Sequence, residues 1–216
     1  MSRIRISPSL LSANFGCLQA DIDRAEPFVD GFHVDVMDGH FVPNLTMGAP
    51  VLSCLHSKLP FDAHLMVTNP DDLLEDFAKA GASALAVHTE VCPHLHRTLQ
   101  RIREHGMRAG VVLNPATSFA FAKDMIAFAD YVLVMSVNPG FSGQSFLPEV
   151  LPKVREIRAH FPEKDIQIDG GIHQNTIQEA LNAGANWIVS GSFFWKSDNL
   201  QKAAQILRGA YDSNTF

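Results

Sequence analysis

The chain has 216 residues, 46% hydrophobic and 19% charged, with a formal net charge of −6. That balance supplies a sizeable core, and the length suits a single α/β barrel domain. The acidic charge, with no run rich in Lys and Arg, excludes broad nucleic-acid binding, yet leaves small anionic ligands open, because backbone N–H groups bind phosphate on acidic proteins too.

From the N-terminus, Met1-Ser2-Arg3-Ile4-Arg5-Ile6 lacks the apolar stretch of a signal peptide. Short β-branched runs then alternate with amphipathic stretches. Strands are expected over residues 4–10, 32–37, 62–67, 84–88, 109–113, 131–137, 166–169 and 187–190. Helices are expected over 18–28, 49–55, 71–80, 94–105, 119–128, 147–161, 175–183 and 200–211. Asn69-Pro70-Asp71-Asp72 reads as a helix start, and Gly81, Gly106 and Gly184 as helix stops. The most apolar region, 119–135, is broken by Lys123, Asp124 and Asp130, so no membrane span is expected. Cys17, Cys54 and Cys92 form no Cys-x-x-Cys pair and fit structural thiols in a reduced, cytoplasmic protein.

Strands alternating with helices imply a parallel sheet with helical crossovers. Polar residues stand at the strand ends around the whole series: Ser9, Asp35, His64, His88, Asn114, Ser136, Asp169 and Ser192. An open sheet would gather such residues at one switch point, whereas a barrel brings all eight ends to one mouth. The expectation is a single (β/α)8 barrel over residues 1–216.

Period-two alternation directs His33, Asp35 and Met37 to one strand face and Val34 and Val36 to the other. Carboxylates on a buried face are costly unless paired or metal-bound. A lone strand-end histidine is usually a satisfied core residue. His33, Asp35, His64 and Asp169, converging from three strands, instead form a plausible divalent-metal site. Such a ligand set suits zinc, iron, manganese or cobalt alike.

The strings Pro8-Ser9-Leu10-Leu11-Ser12-Ala13, His33 through Leu45, Asp62-Ala63-His64-Leu65-Met66 and Cys92-Pro93-His94-Leu95-His96-Arg97 resemble the ribulose-phosphate 3-epimerase family. The resemblance continues through Leu113-Asn114-Pro115-Ala116-Thr117, Val137-Asn138-Pro139-Gly140-Phe141, Asp169-Gly170-Gly171 and Gly191-Ser192, so it runs nearly end to end. It implies that the four residues above bind one divalent metal, with Asp35 and Asp169 also serving as acid and base. It further implies substrate contacts from Ser9 and His64, a soft apolar lining from Met37, Met66 and Met135, and a homo-oligomer. Epimerisation beside a ketone needs one carboxylate on each side of an enediolate, and a metal stabilises that developing charge as a Lewis acid.

Glycine-rich turns follow the last three strands: Gly140-Phe141-Ser142-Gly143, Gly170-Gly171 and Gly191-Ser192. Singly each is an ordinary turn; in succession they read as a phosphate cradle on strands six to eight. Ser142 departs from the Gly-Phe-Gly-Gly usual in the family, and a left-handed backbone there would disfavour serine. Phe193-Phe194-Trp195 also departs from the usual small residues and could reshape the phosphate rim or an oligomer contact.

Other polar residues are set aside. His94 and His96 point about 200° apart on a helix and chelate poorly. Asp38 reads as a turn residue. His40, His56, His105, His160 and His173 carry no pattern, and Trp187 and Trp195 read as packing. The implied activity is conversion of D-ribulose 5-phosphate to D-xylulose 5-phosphate, with a six-carbon ketose phosphate such as D-allulose 6-phosphate as the alternative substrate. A sugar-phosphate lyase would want an inward lysine on the third strand, where His64 stands. A non-catalytic phosphate-binding barrel would not need both Asp35 and Asp169.

Overall fold

The computed structural model describes residues 3–209. Eight strands appear in chain order: β1 Arg5–Pro8, β2 Phe32–Met37, β3 Phe61–Met66, β4 Ala82–His88, β5 Arg108–Leu113, β6 Tyr131–Met135, β7 Asp165–Asp169 and β8 Trp187–Ser190. The helices are α1 Leu18–Ala25, α2 Ala49–Leu52, α3 Leu74–Lys79, α4 Leu95–Glu104, α5 Phe119–Phe128, α6 Leu151–His160, α7 Ile177–Ala183, α8 Ser192–Trp195 and α9 Leu200–Leu207. Every ladder is parallel, in the order β1-β8-β7-β6-β5-β4-β3-β2. A single bridge between Ser9 and His33 spans the remaining seam, and Asp30 N–H donates to Ile6 O at 2.9 Å beside it. The architecture is the expected single-domain (β/α)8 barrel. Among the described residues, no helix is long and apolar enough to cross a membrane.

The helices form because their apolar positions recur on one face. In α4, Leu95, Thr98, Leu99 and Ile102 are buried, and Gly106 follows at φ 81° as the left-handed stop. In α5, the Ser118 side chain accepts from Phe121 N–H and caps the first turn. Prolines trim the other expected helices. Residues 26–28, 70–72 and 148–150 each contain proline and form 3₁₀ turns flanking α1, α3 and α6. Asn69 does not cap α3; it contacts Asp72 instead. The end of the last expected helix, residues 210 and 211, lies outside the described residues.

Alternation divides each strand between two cores. Val34 and Val36 pack outward into the layer shared with the helices. Inside the barrel, Ala84, Ala86, Val112, Tyr131, Leu133, Met135 and Trp187 form a separate cluster. The Tyr131 and Trp187 rings lie 5.0 Å apart, and the Arg5 guanidinium stacks 4.3 Å from the Trp187 ring. Gly110 makes room for this floor, since a Cβ there would lie 2.3 Å from the Tyr131 ring. The bottom of the barrel is thereby plugged by side chains, and the open end is the one where the strands terminate.

Candidate active site

Register brings the polar strand ends together. Asp35 pairs with His64 and Met37 with Met66 across β2 and β3, while Met135 pairs with Asp169 across β6 and β7. His33, Asp35, His64 and Asp169 each offer one ligand atom, all within 4.8 Å of one another. His33 Nε2 lies 3.4 Å from Asp35 Oδ1 and 4.0 Å from Asp169 Oδ2, and His64 Nδ1 lies 3.2 Å from Asp35 Oδ1. Ser9 Oγ donates to the other Asp35 oxygen at 2.5 Å.

The charges are tightly linked. Burial alone would lower the His33 pKa, but Asp62 and Asp35 outweigh it and hold the imidazole well above its ordinary value. Burial likewise opposes ionisation of Asp35, yet His33 and His64 pull its pKa below the ordinary carboxylate range. Burial, then the nearby Asp35 charge, push Asp169 up to about 7. Burial lowers His64 to about 4, so its imidazole is neutral at pH 7. His33 Nε2 is buried and has no hydrogen-bond partner. An orphaned imidazole nitrogen facing two converging carboxylates, with mixed N and O donors, fits a divalent ion. The cluster could hold one metal.

Above it lies a cavity of about 270 Å³. Its wall includes Ser9, Asp35, Asp169, the three methionines Met37, Met66 and Met135, and all the expected loop residues: Gly140, Phe141, Ser142, Gly143, Gly170, Gly171, Gly191 and Ser192. His64 is absent from that wall. It is fully buried, and its contact with the cluster runs through Asp35.

The positive φ angles of the sixth-strand loop fall on Gly140 (126°) and Gly143 (78°), and no described non-glycine residue has positive φ. Ser142 is therefore compatible with the loop. Asn44 Nδ2 donates to Gly140 O at 2.9 Å and ties this loop to the one after β2. Gly171 is needed for contact, since a Cβ would sit 2.4 Å from Phe146 N.

The sequence alone assigns several participants no role. Asp62 lies one period-two step before His64 on the inner face, binds His33 Nδ1, and accepts from Gln167 Nε2 at 2.8 Å. His88 meets His64 through their Nε2 atoms at 2.8 Å. Ser12, His173 and Phe193 also line the cavity. Of these, Ser12 sits in the string from Pro8 to Ala13, whereas His173 had no sequence signal. Trp195 is more than filler, because its Nε1 donates to Ser9 O at 2.7 Å and steadies the end of β1. Asp38 is a turn residue as expected, accepting from His40, Phe41 and Thr68 N–H at 2.7–2.9 Å. Those bonds outweigh burial and bring its pKa to about 2. His94 is exposed at the start of α4, and His96 packs at a tilt against Phe128, ring centroids 4.3 Å apart. The three cysteines are free, with only Cys92 buried.

Among solved structures, the chain resembles a tryptophan synthase α-subunit from Pyrococcus furiosus, with TM-score 0.73, 14% identity, 97% of this chain and 100% of that one covered. It also resembles a 3-hexulose-6-phosphate synthase, with TM-score 0.70, 18% identity and coverage of 98% and 100%. At such identities these likenesses carry the fold alone. Sequence relatives are nearer. A ribulose-phosphate 3-epimerase from Bacillus subtilis is 45% identical, covering 96% of this chain and 99% of that protein. The cytoplasmic isoform of ribulose-phosphate 3-epimerase from Oryza sativa subsp. japonica is 48% identical, covering 97% and 95%. The model of the ribulose-phosphate 3 epimerase family matches residues 5–195. With two aspartates and two histidines gathered under one cavity and this match over nearly the whole barrel, the chain belongs to the ribulose-phosphate 3-epimerase family and is an epimerase.

Proposed function

We propose that the protein interconverts D-ribulose 5-phosphate and D-xylulose 5-phosphate by proton transfer at C3. The observation that carries this reading is the meeting of Asp35 and Asp169, from β2 and β7, in one cluster at the floor of one cavity. Inversion requires removing the C3 proton on one face of the sugar and returning one on the other, and two carboxyls from different strands supply those faces. Asp169, with a pKa near neutrality, suits proton exchange in both directions. Asp35 accepts from Ser9 Oγ, which fixes one oxygen and leaves the other toward the cluster. Whichever carboxyl abstracts in one direction donates in the other.

His33, Asp35, His64 and Asp169 would hold one divalent ion, which supplies Lewis-acid stabilisation of charge developing on substrate oxygens. Met37, Met66 and Met135 present an apolar wall beside the aspartates and keep water from the reacting carbon. The loops carrying Gly140–Gly143, Gly170, Gly171, Gly191 and Ser192 would receive the phosphate through backbone N–H groups, which makes the β6–β8 half the anion-binding half. A cytoplasmic homo-oligomer completes the reading, the location being that named for the rice relative.

The test is turnover of D-ribulose 5-phosphate by metal-loaded protein, with D-allulose 6-phosphate beside it and C3 proton exchange followed in D₂O. Preferred turnover of the pentose supports the proposal. Turnover of the hexose alone would change the substrate and keep the chemistry. Absence of C3 exchange with either sugar in folded, metal-loaded protein would overturn it.

A further inference from the structure

Each histidine of the cluster is backed by a carboxylate, one directly and the other through a second imidazole. His33 Nδ1 contacts Asp62. His64 reaches Glu90 by a longer route. Its Nε2 lies 2.8 Å from His88 Nε2, and His88 Nδ1, buried and without a hydrogen-bond partner, faces the Glu90 Oε2 charge at 3.4 Å. Glu90 is itself anchored, because its Oε1 accepts from Asn114 N–H at 3.2 Å and from the Thr117 hydroxyl. Burial opposes its charge, but His88 and Thr117 prevail and hold the carboxyl at about 2.

An ionised carboxylate only accepts hydrogen bonds, and a neutral imidazole has one donor and one acceptor nitrogen. Opposite Glu90, His88 must carry its hydrogen on Nδ1, so its Nε2 is an acceptor. His64 must then carry its hydrogen on Nε2, which leaves the Nδ1 lone pair directed to the Asp35 side of the cluster. In the opposite arrangement a lone pair on His88 Nδ1 would face the Glu90 carboxylate. With the first arrangement, His64 Nδ1 and Asp35 Oδ1 are two acceptors 3.2 Å apart, a pair that a shared cation reconciles.

We infer that Glu90, acting through His88, is a positioning residue that fixes the tautomer of His64 and thereby sets the affinity of the cluster for a divalent metal. The inference rests on the metal-binding reading of the cluster. Glu90 touches neither the reacting atoms nor the cluster itself; its influence passes along two imidazoles. The fold supplies the chain of contacts, since His88 ends β4 beside β3 and Glu90 lies in the 3₁₀ turn at 89–91 that follows at once.

Glu90→Gln is the decisive variant. The amide keeps an oxygen for Asn114 and Thr117 and presents an NH₂ donor to His88 Nδ1, which reverses each tautomer along the chain. Replacing a carboxylate by an amide behind an imidazole has this consequence in hydrolase triads. Thr117→Val serves as a packing control that leaves the charge in place. Cobalt(II) affinity is measured by chelator competition, and ring tautomers of the zinc-loaded proteins by ¹⁵N NMR. The expected result is Nε2–H on His64 in wild type, Nδ1–H in Glu90→Gln, and about a 10–100-fold loss of cobalt affinity in that variant. Thr117→Val should keep the wild-type tautomer and affinity. Nδ1–H on His64 in wild type would overturn the inference, as would equal cobalt affinity in wild type and Glu90→Gln. So would an equal loss in both variants, which would make the effect one of packing. If wild type binds no cobalt, the metal reading fails and this account of affinity with it, whereas cobalt bound equally by wild type and Glu90→Gln leaves the metal reading standing and overturns the inference alone.

Discussion

Replacing Asp169 by Asn separates the chemistry of this carboxyl from its place in the fold. Burial and the Asp35 charge raise its pKa from 3.8 to about 7. A carboxyl with a raised folded-state pKa binds its proton more tightly folded than unfolded. In metal-free protein its contribution to stability is therefore fully present below about pH 4 and is lost as pH rises through 7. A rise of that size is worth roughly 4 kcal/mol at pH 8. Asn never ionises and escapes this penalty. It also removes the negative charge 4.0 Å from His33, which takes back part of the gain. A net stabilisation of the metal-free variant by roughly 1–3 kcal/mol at pH 8, and near equality at pH 4, is expected. Epimerisation should fall by about 10²–10⁴-fold, the usual contribution of a positioned acid or base. Urea unfolding of chelator-treated proteins at the two pH values, beside an epimerase assay, measures both. A variant less stable at pH 8 that still epimerises within tenfold of wild type would refute the reasoning.

Other outcomes follow from the same geometry. Ser12 Oγ is buried on the cavity side without a hydrogen-bond partner, so Ser12→Ala should raise KM for a sugar phosphate about tenfold and change kcat little. A large fall in kcat at unchanged KM would contradict a binding role. Gly171→Ala forces a Cβ to 2.4 Å from Phe146 N at φ 65° and should cost roughly 2–4 kcal/mol in the unfolding free energy, with weakened phosphate inhibition. Gly110→Ala meets the Tyr131 ring and should lower stability by about 1–3 kcal/mol, a loss that Tyr131→Leu in the same chain would partly restore in urea titrations. Because Asp169 holds its proton below about pH 7, binding of a divalent metal at pH 6 should release at least about one proton. Calorimetry in buffers of different ionisation enthalpy would detect it, and a heat independent of buffer would contradict it.

The order of elements and the identity of the cluster were legible because both depend on local pattern. Alternation in His33-Val34-Asp35-Val36-Met37 already divides the strand into a polar inner face and an apolar outer one, and β2 forms over the expected residues. Positive φ at Gly81, Gly106 and Gly184 likewise follows from glycine's freedom at helix ends. Register and closure are not local. They set Asp35 opposite His64, buried His64 fully, and brought Gln167 to Asp62 across the barrel interior. The chain from His64 through His88 to Glu90 depends on adjacent strands ending at matched heights, which no spacing along the sequence encodes. Sequence by itself determined which residues face inward, because side-chain direction alternates with every residue. Only the tertiary structure decided which inward residues touch, because contact depends on strand stagger and on the packing that closes the barrel.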